Sequence, residues 1–291
     1  MLLMAYGIVR LEHGLAGWGT TVAAAGGGLL LVWLFTVIER RSASPLVRLG
    51  ILRRASMVRA DLGALLFVGS FMGFQFVVTL YLQELRGWSS LETALALLIT
   101  GSDAVLAPTL TPRLVNRFGT ARVILGGFLL AIASYALFLP VGLDWTYAAM
   151  LPTLALTGTA FALAYGPLTI AATDGVAEAE QGLAGGLLHT STQFGSAVGI
   201  SAVTAVYGLA RAGSGAESTL EAFRAALVVP LVMVVLGAAI TLGGLRGGAR
   251  RAEGEGKAGE HREAGAGETG AGETGRTAES GEELSRVRGA L

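Results

Sequence analysis

DLGALLFVGSFMGFQFVVTLYLQ, residues 61–83, carries one charge in 23 positions, and that charge is its first residue. A helix rises about 1.5 Å per residue, so about 20 such residues match the roughly 30 Å hydrocarbon core of a bilayer. Hydrocarbon offers no partner to a bare backbone N–H or C=O, so a run of this length and composition predicts a spanning helix. Working outward, six further apolar runs lie near 19–38, 91–112, 120–141, 146–171, 184–208 and 222–245. The expected fold is all-α, a polytopic membrane helix bundle of about seven transmembrane helices. Trp18, Tyr81, Trp88, Trp145, Tyr147 and Tyr207 stand near the ends of these runs, where amphipathic rings prefer the membrane interface. Two small-xxx-small pairs, Gly69 with Gly73 and Gly195 with Gly199, suit close helix approach.

Charge is scarce and unevenly placed. The 291 residues are 53% hydrophobic and 14% charged, with a mean hydropathy of +0.62, against roughly 25% charged in soluble domains. Residues 246–291 alone hold eight basic and nine acidic side chains, leaving 13 and 12 for the other 245 residues. That is too few to cover a water-soluble surface, so the solvent is lipid. Net charge is zero and no basic patch is interleaved with aromatics, which argues against nucleic acid as a partner. The chain has no cysteine, which excludes disulfides and thiolate chemistry. From Gly247 the sequence is Gly, Ala, Glu, Thr and Arg, with GAGET repeated in tandem, and reads as a disordered tail.

Arginine gives the orientation. Arg40, Arg41, Arg48, Arg53, Arg54 and Arg59 crowd one loop, and Arg113, Arg117 and Arg122 another, whereas the opposite loops hold Arg10, Arg86 and Arg211, with Arg224 at the edge of the last run. The positive-inside rule places the first set, and with it the tail, in the cytoplasm. Met1 to Val9 is apolar but too short to span; it reads as the last turns of a helix that begins outside this sequence. The expected division is 1–60 (helix end, one central span and a cytoplasmic loop), 61–245 (six-helix bundle) and 246–291 (cytoplasmic tail).

Catalytic signatures such as HExxH, GxSxG or a P-loop are absent, and His13, His189 and His261 are too scattered in sequence to suggest a zinc cluster. The chain does not read as an enzyme, and no metal or cofactor is expected. Asp103, inside LLITGSDAVLAPTL, is the proton-coupling candidate, because a charge at membrane depth costs about 3 kcal/mol and commonly faces a cavity or binds a proton or cation. The other reading is a neutral carboxyl hydrogen-bonded to a neighbouring helix. Thr190 and Thr192 accompany His189 and Gln193 in GGLLHTSTQFGSAVG. The last two are four apart and share a helix face. They line a substrate path or bond neighbouring helices, and Gln75 carries the same two readings. Pro108, Pro167 and Pro230 are expected to kink their helices.

The loop PRLVNRFGTARVIL, residues 112–125, resembles the cytoplasmic loop motif of the major facilitator superfamily, Gly-x-Leu-x-Asp-Arg-x-Gly-x-Arg. Leu114, Arg117, Gly119 and Arg122 match or nearly match, while Pro112 replaces the first glycine and Asn116 the aspartate. ERRSASPLVRLGILRR, AYGPLTIAATDGV and GLAGGLLHTSTQFGSAVGISAV are similar to the C-terminal half of the fourteen-span drug:proton antiporters (EmrB/QacA type), which often have asparagine at His189 and arginine at Thr192. The resemblance covers residues 1–245. It implies the C-terminal six-helix bundle plus one preceding helix, with an N-terminal six-helix bundle outside this sequence. It also implies that Arg113, Asn116, Arg117, Gly119 and Arg122 form a cytoplasmic gating loop. The function it implies is efflux of drugs or small amphipathic metabolites, driven by the proton gradient across a bacterial plasma membrane. The alternative is a non-transporting remnant, or a half-transporter subunit that needs a separate N-terminal bundle.

Overall fold

The computed structural model describes residues 55–244, except Ala212 and Ser214, together with Leu30. Apart from Leu30, the expected span at 19–38, the helix end at Met1 to Val9 and the tail at 246–291 lie outside the described residues. Within them the structure is all-α. Six helices are long and apolar enough to cross a membrane: α1 (Ala55–Leu85), α2 (Ser90–Thr109), α4 (Thr120–Phe138), α5 (Tyr147–Thr173), α6 (Gln181–Ala210) and α7 (Ala216–Gly244). A short helix, α3 (Thr111–Phe118), joins α2 to α4. These six correspond one for one to the apolar runs that begin at residue 61.

Several helices outrun the hydropathy that announces them. α1 is already helical at Ala55, six residues before the expected edge, and α7 begins at Ala216, six before its run. Hydropathy marks where the hydrocarbon begins, whereas helical hydrogen bonding propagates through the polar interface at little cost. The start of α2 has a further local cause. Ser89 accepts from the Glu92 N–H at 3.2 Å, and the Glu92 carboxylate accepts from the Ser89 N–H at 2.8 Å. This reciprocal capping box satisfies donors that would otherwise face the membrane boundary bare.

α1 is the most enclosed helix and the hub of the bundle. Phe74 stacks on Tyr135 of α4 at 4.4 Å, Phe67 meets Phe128 edge-on at 5.0 Å, and Phe71 packs on Phe161 of α5 at 4.4 Å. On another side α1 lies against α6 with its backbone almost bare. A Cβ on Gly69 would stand 2.6 Å from the Gly195 carbonyl oxygen, and one on Gly199 would collide with the Gly69 carbonyl. The two glycine pairs singled out in the sequence therefore meet each other, in parallel register. Lipid tails are as apolar as leucine, so packing at this close range replaces the hydrophobic effect as the cohesive force. α4 and α5 use the same device. Gly127 lies against Ala160 and Ala164, and the buried Ser134 hydroxyl donates to the Thr153 carbonyl at 2.7 Å.

At the far end from the arginine-rich loop, three side chains grip successive carbonyls of the α4–α5 turn. Arg224 donates from Nε and Nη2 to Val141 O at 3.0 and 2.8 Å, Tyr81 donates to Gly142 O at 2.6 Å, and Arg86 donates to Leu143 O. Arg211 pairs with Glu84 at 3.7 Å, and Tyr207 donates to the same carboxylate at 2.7 Å. Arg86, Arg211 and Arg224 run against the arginine bias of the other loops, and each has a structural task here. Replacing Tyr81 by Phe removes one of these bonds and leaves the Gly142 carbonyl without it. We expect a stability loss of about 1 kcal/mol, read from denaturant unfolding in micelles.

Candidate functional site

The exposed faces of the helices fall into two kinds. On α4 and α7 the residues open to the surroundings along the membrane are apolar, among them Leu129, Leu137, Val228, Val232, Val235, Leu236 and Leu242. On α6 they include His189, Thr190 and Gln193, while α2 is mixed: Leu91, Leu95, Leu98 and Val105 are exposed along with Thr109, and Asp103 is half-buried. An apolar face suits lipid, whereas polar groups at this depth are costly in hydrocarbon and belong against water or another protein surface.

α2 is interrupted just before Asp103. Residues Leu98–Ser102 tighten into a 3₁₀ turn, and Asp103 opens the last helical piece, which ends at Thr109. The interruption lies upstream of Pro108, the residue expected to cause a kink. Gly158 of α5 faces this turn so closely that a Cβ there would stand 2.5 Å from the Thr100 carbonyl oxygen and collide with Ser102 Oγ. Close packing on α5 therefore accompanies the irregular turn. Pro167, by contrast, lies within a continuous helix. The Ser102 hydroxyl is buried with no hydrogen-bond partner among the described residues.

His189 and Gln193 share the exposed face of α6, as their spacing predicts, and Thr190 joins them with its hydroxyl bonded to Gly186 O at 2.8 Å. Thr192 is turned inward, 4% exposed, and donates to His189 O. Gln75 is half-buried on α1. Among the described residues no hydrogen bond joins Asp103, Gln75, His189 or Gln193 to one another. Asp103 stands on a helix packed on α5, while His189 and Gln193 stand on one packed on α1.

The loop motif forms α3, a short amphipathic helix anchored by Thr111, whose buried hydroxyl donates to Ala162 O at 3.0 Å. Gly119 ends it at φ +84°, a conformation costly for a side chain bearing Cβ, and α4 starts at the next residue. Arg113, Asn116, Arg117 and Arg122 are all exposed, and the Arg117 guanidinium lies 5.3 Å over the Phe118 ring. Among the described residues, no group of three or more histidine or acidic side chains is placed to hold a metal ion.

One carboxyl went unnoticed in the sequence. Asp61 sits at the edge of its apolar run, where an interfacial acid is unremarkable, yet it is only 9% exposed, and its Oδ1 has no hydrogen-bond partner among the described residues.

Comparison with known proteins agrees with this architecture. The chain is 31% identical over 248 residues to the cephamycin export protein CmcT of Amycolatopsis lactamdurans, covering 77% of this chain and 47% of that protein. It is 30% identical over 216 residues to the tetracenomycin C resistance and export protein of Streptomyces glaucescens, covering 72% and 38%. It is 29% identical over 183 residues to the multidrug resistance protein Stp of Mycobacterium tuberculosis, covering 63% and 33%. The matched stretches thus make up between a third and about half of these relatives. They are export and resistance proteins, and the six long apolar helices make this chain a multi-pass membrane protein. The family model of the Major Facilitator Superfamily matches residues 3–200. This chain belongs to the Major Facilitator Superfamily.

Proposed function

We propose that this chain supplies the C-terminal six-helix half of a proton-coupled exporter of drugs or small amphipathic metabolites, in the plasma membrane of a bacterium. The observation that carries the reading is the polar exposed face. His189, Thr190 and Gln193 on α6 stand open at membrane depth, with Asp103 half-buried at the break in α2, while the exposed residues of α4 and α7 there are apolar. A bundle surrounded only by lipid has no use for such a face. A bundle that rocks against a second one around a wet path needs it. The greater length of the bacterial export proteins it matches supports a second six-helix bundle as partner, on the same or a separate chain.

In this arrangement residues 61–245 form the transporting bundle, and residues 246–291 form a tail that shares the cytoplasmic side with the arginine-rich loops. Asp103 carries the proton, Gln75, His189 and Gln193 border the substrate path, and the loop from Arg113 through Asn116, Arg117 and Gly119 to Arg122 takes part in gating. The test is drug accumulation in an efflux-deficient bacterial strain expressing the chain with its N-terminal bundle, with and without a protonophore. Lowered accumulation that the protonophore restores is the expected result. Unchanged accumulation of a broad drug panel, with the protein well inserted, overturns the reading.

A further inference from the structure

Arg224 is held in an unusual place. It stands on α7 immediately before Ala225–Gly244, a run of 20 residues without a charge. At about 1.5 Å per residue that run equals the hydrocarbon thickness, so Arg224 lies at the level of the lipid phosphates. Its side chain faces the same surroundings as Val228, Val232 and Val235 further along the helix, all exposed and apolar. Nε and Nη2 are both committed to Val141 O, which pins the guanidinium plane. Nη1 has no partner among the described residues. Arg224 forms no ion pair with Glu221, one turn nearer the water, or with Asp144 in the α4–α5 turn.

Beside it runs a groove of about 580 Å³ between the end of α4 and the start of α7, lined by Ala136, Leu139, Pro140, Ala225 and Val228 along with Arg224. Apart from the guanidinium, every lining side chain is apolar, and all of them belong to α7 or to the end of α4 and the turn that follows it.

We propose that this groove binds one phospholipid of the surrounding leaflet, its phosphate held by the free Nη1 of Arg224 and its glycerol and upper acyl chain lying on Ala136, Leu139 and Val228. Two features fit this occupant. A positive group fixed at phosphate depth complements the one charge that every phospholipid carries there, and every other side chain lining the groove is apolar, as an acyl chain requires. Recognition runs through the phosphodiester, so the outer substituent of the headgroup matters little. The site also stiffens the bundle, because a phosphate on Nη1 holds the same guanidinium that grips the α4–α5 turn.

The test is native mass spectrometry of the purified full chain after exchange into micelles doped with phosphatidylglycerol, phosphatidylethanolamine or uncharged diacylglycerol. One phospholipid of either headgroup should remain per chain through delipidation, and diacylglycerol should not. Arg224→Gln should lower retention about tenfold, the value of one charge-assisted hydrogen bond. Ala136→Trp, which leaves Arg224 in place but fills the groove, should lower it as well and covers the case in which Arg224→Gln fails to fold. Millimolar inorganic phosphate should not displace the lipid, because it lacks the chain that fills the groove. Equal retention of diacylglycerol, displacement by inorganic phosphate, or unchanged retention in either folded variant overturns the proposal.

Discussion

Gly199→Leu should leave almost no correctly folded protein. A Cβ at this position collides with the Gly69 carbonyl across the α1–α6 contact, and the neighbour is backbone rather than a side chain that can swing away. Overpacking a well-filled site typically costs about 1–3 kcal/mol. Where two helix backbones must separate along a whole crossing, we expect more than about 3 kcal/mol, in the range that unfolds marginal proteins. Gly195→Leu should behave alike, because its Cβ meets the Leu65 carbonyl. Gly186→Leu on the same helix is the control: nothing lies within 4 Å of a Cβ there. Thermal unfolding in detergent, with gel filtration to count monodisperse protein, should show collapse for the first two and near wild-type behaviour for the third. Equal behaviour of all three would remove the glycine crossing as the weld between α1 and α6.

Asp103→Asn should abolish proton-coupled export by the two-bundle transporter while leaving insertion and folding intact. Asparagine has nearly the volume of aspartate and keeps an acceptor oxygen, so stability should move by less than about 1 kcal/mol. What it loses is the exchangeable proton. Transport into inverted vesicles driven by an imposed pH gradient should fall to the level of empty vesicles. Substrate binding measured without a gradient should persist. Retained gradient-driven transport in Asp103→Asn would move the coupling role elsewhere, and Asp61, buried with an oxygen left unbonded among the described residues, is the next carboxyl to test.

The fold was legible because membrane solvation imposes one coarse rule, a helix of about 20 apolar residues, and six runs obeyed it at every described site. The helix ends were less legible, since α7 starts at Ala216 in a polar stretch that hydropathy does not register, and α1 is already helical at Ala55, ahead of its apolar run. The capping pair Ser89 and Glu92 was a readable signal for the start of α2. The interruption at Leu98–Ser102 was not, because it lies against Gly158 of α5, and no local spacing reports a contact 56 residues away. The inward turn of Thr192 shows the same limit. His189 and Gln193 share a face by spacing alone, but which face a helix buries depends on its neighbours. Asp61 was missed for a related reason: at the rim of an apolar run, burial depends on what packs over it.

The clasped carbonyls of Val141, Gly142 and Leu143 bear on anyone who wants to map the membrane topology of this protein. Short turns between spanning helices are the usual choice for inserting an epitope or a reporter loop, on the assumption that their backbone is free. Here the turn is occupied by side chains reaching in from Arg86 and Tyr81 on one flank and Arg224 on the other. An insertion at 140–145 would break the grip of α1 and α7 on this turn at once, and a negative topology assay there would report damage rather than sidedness.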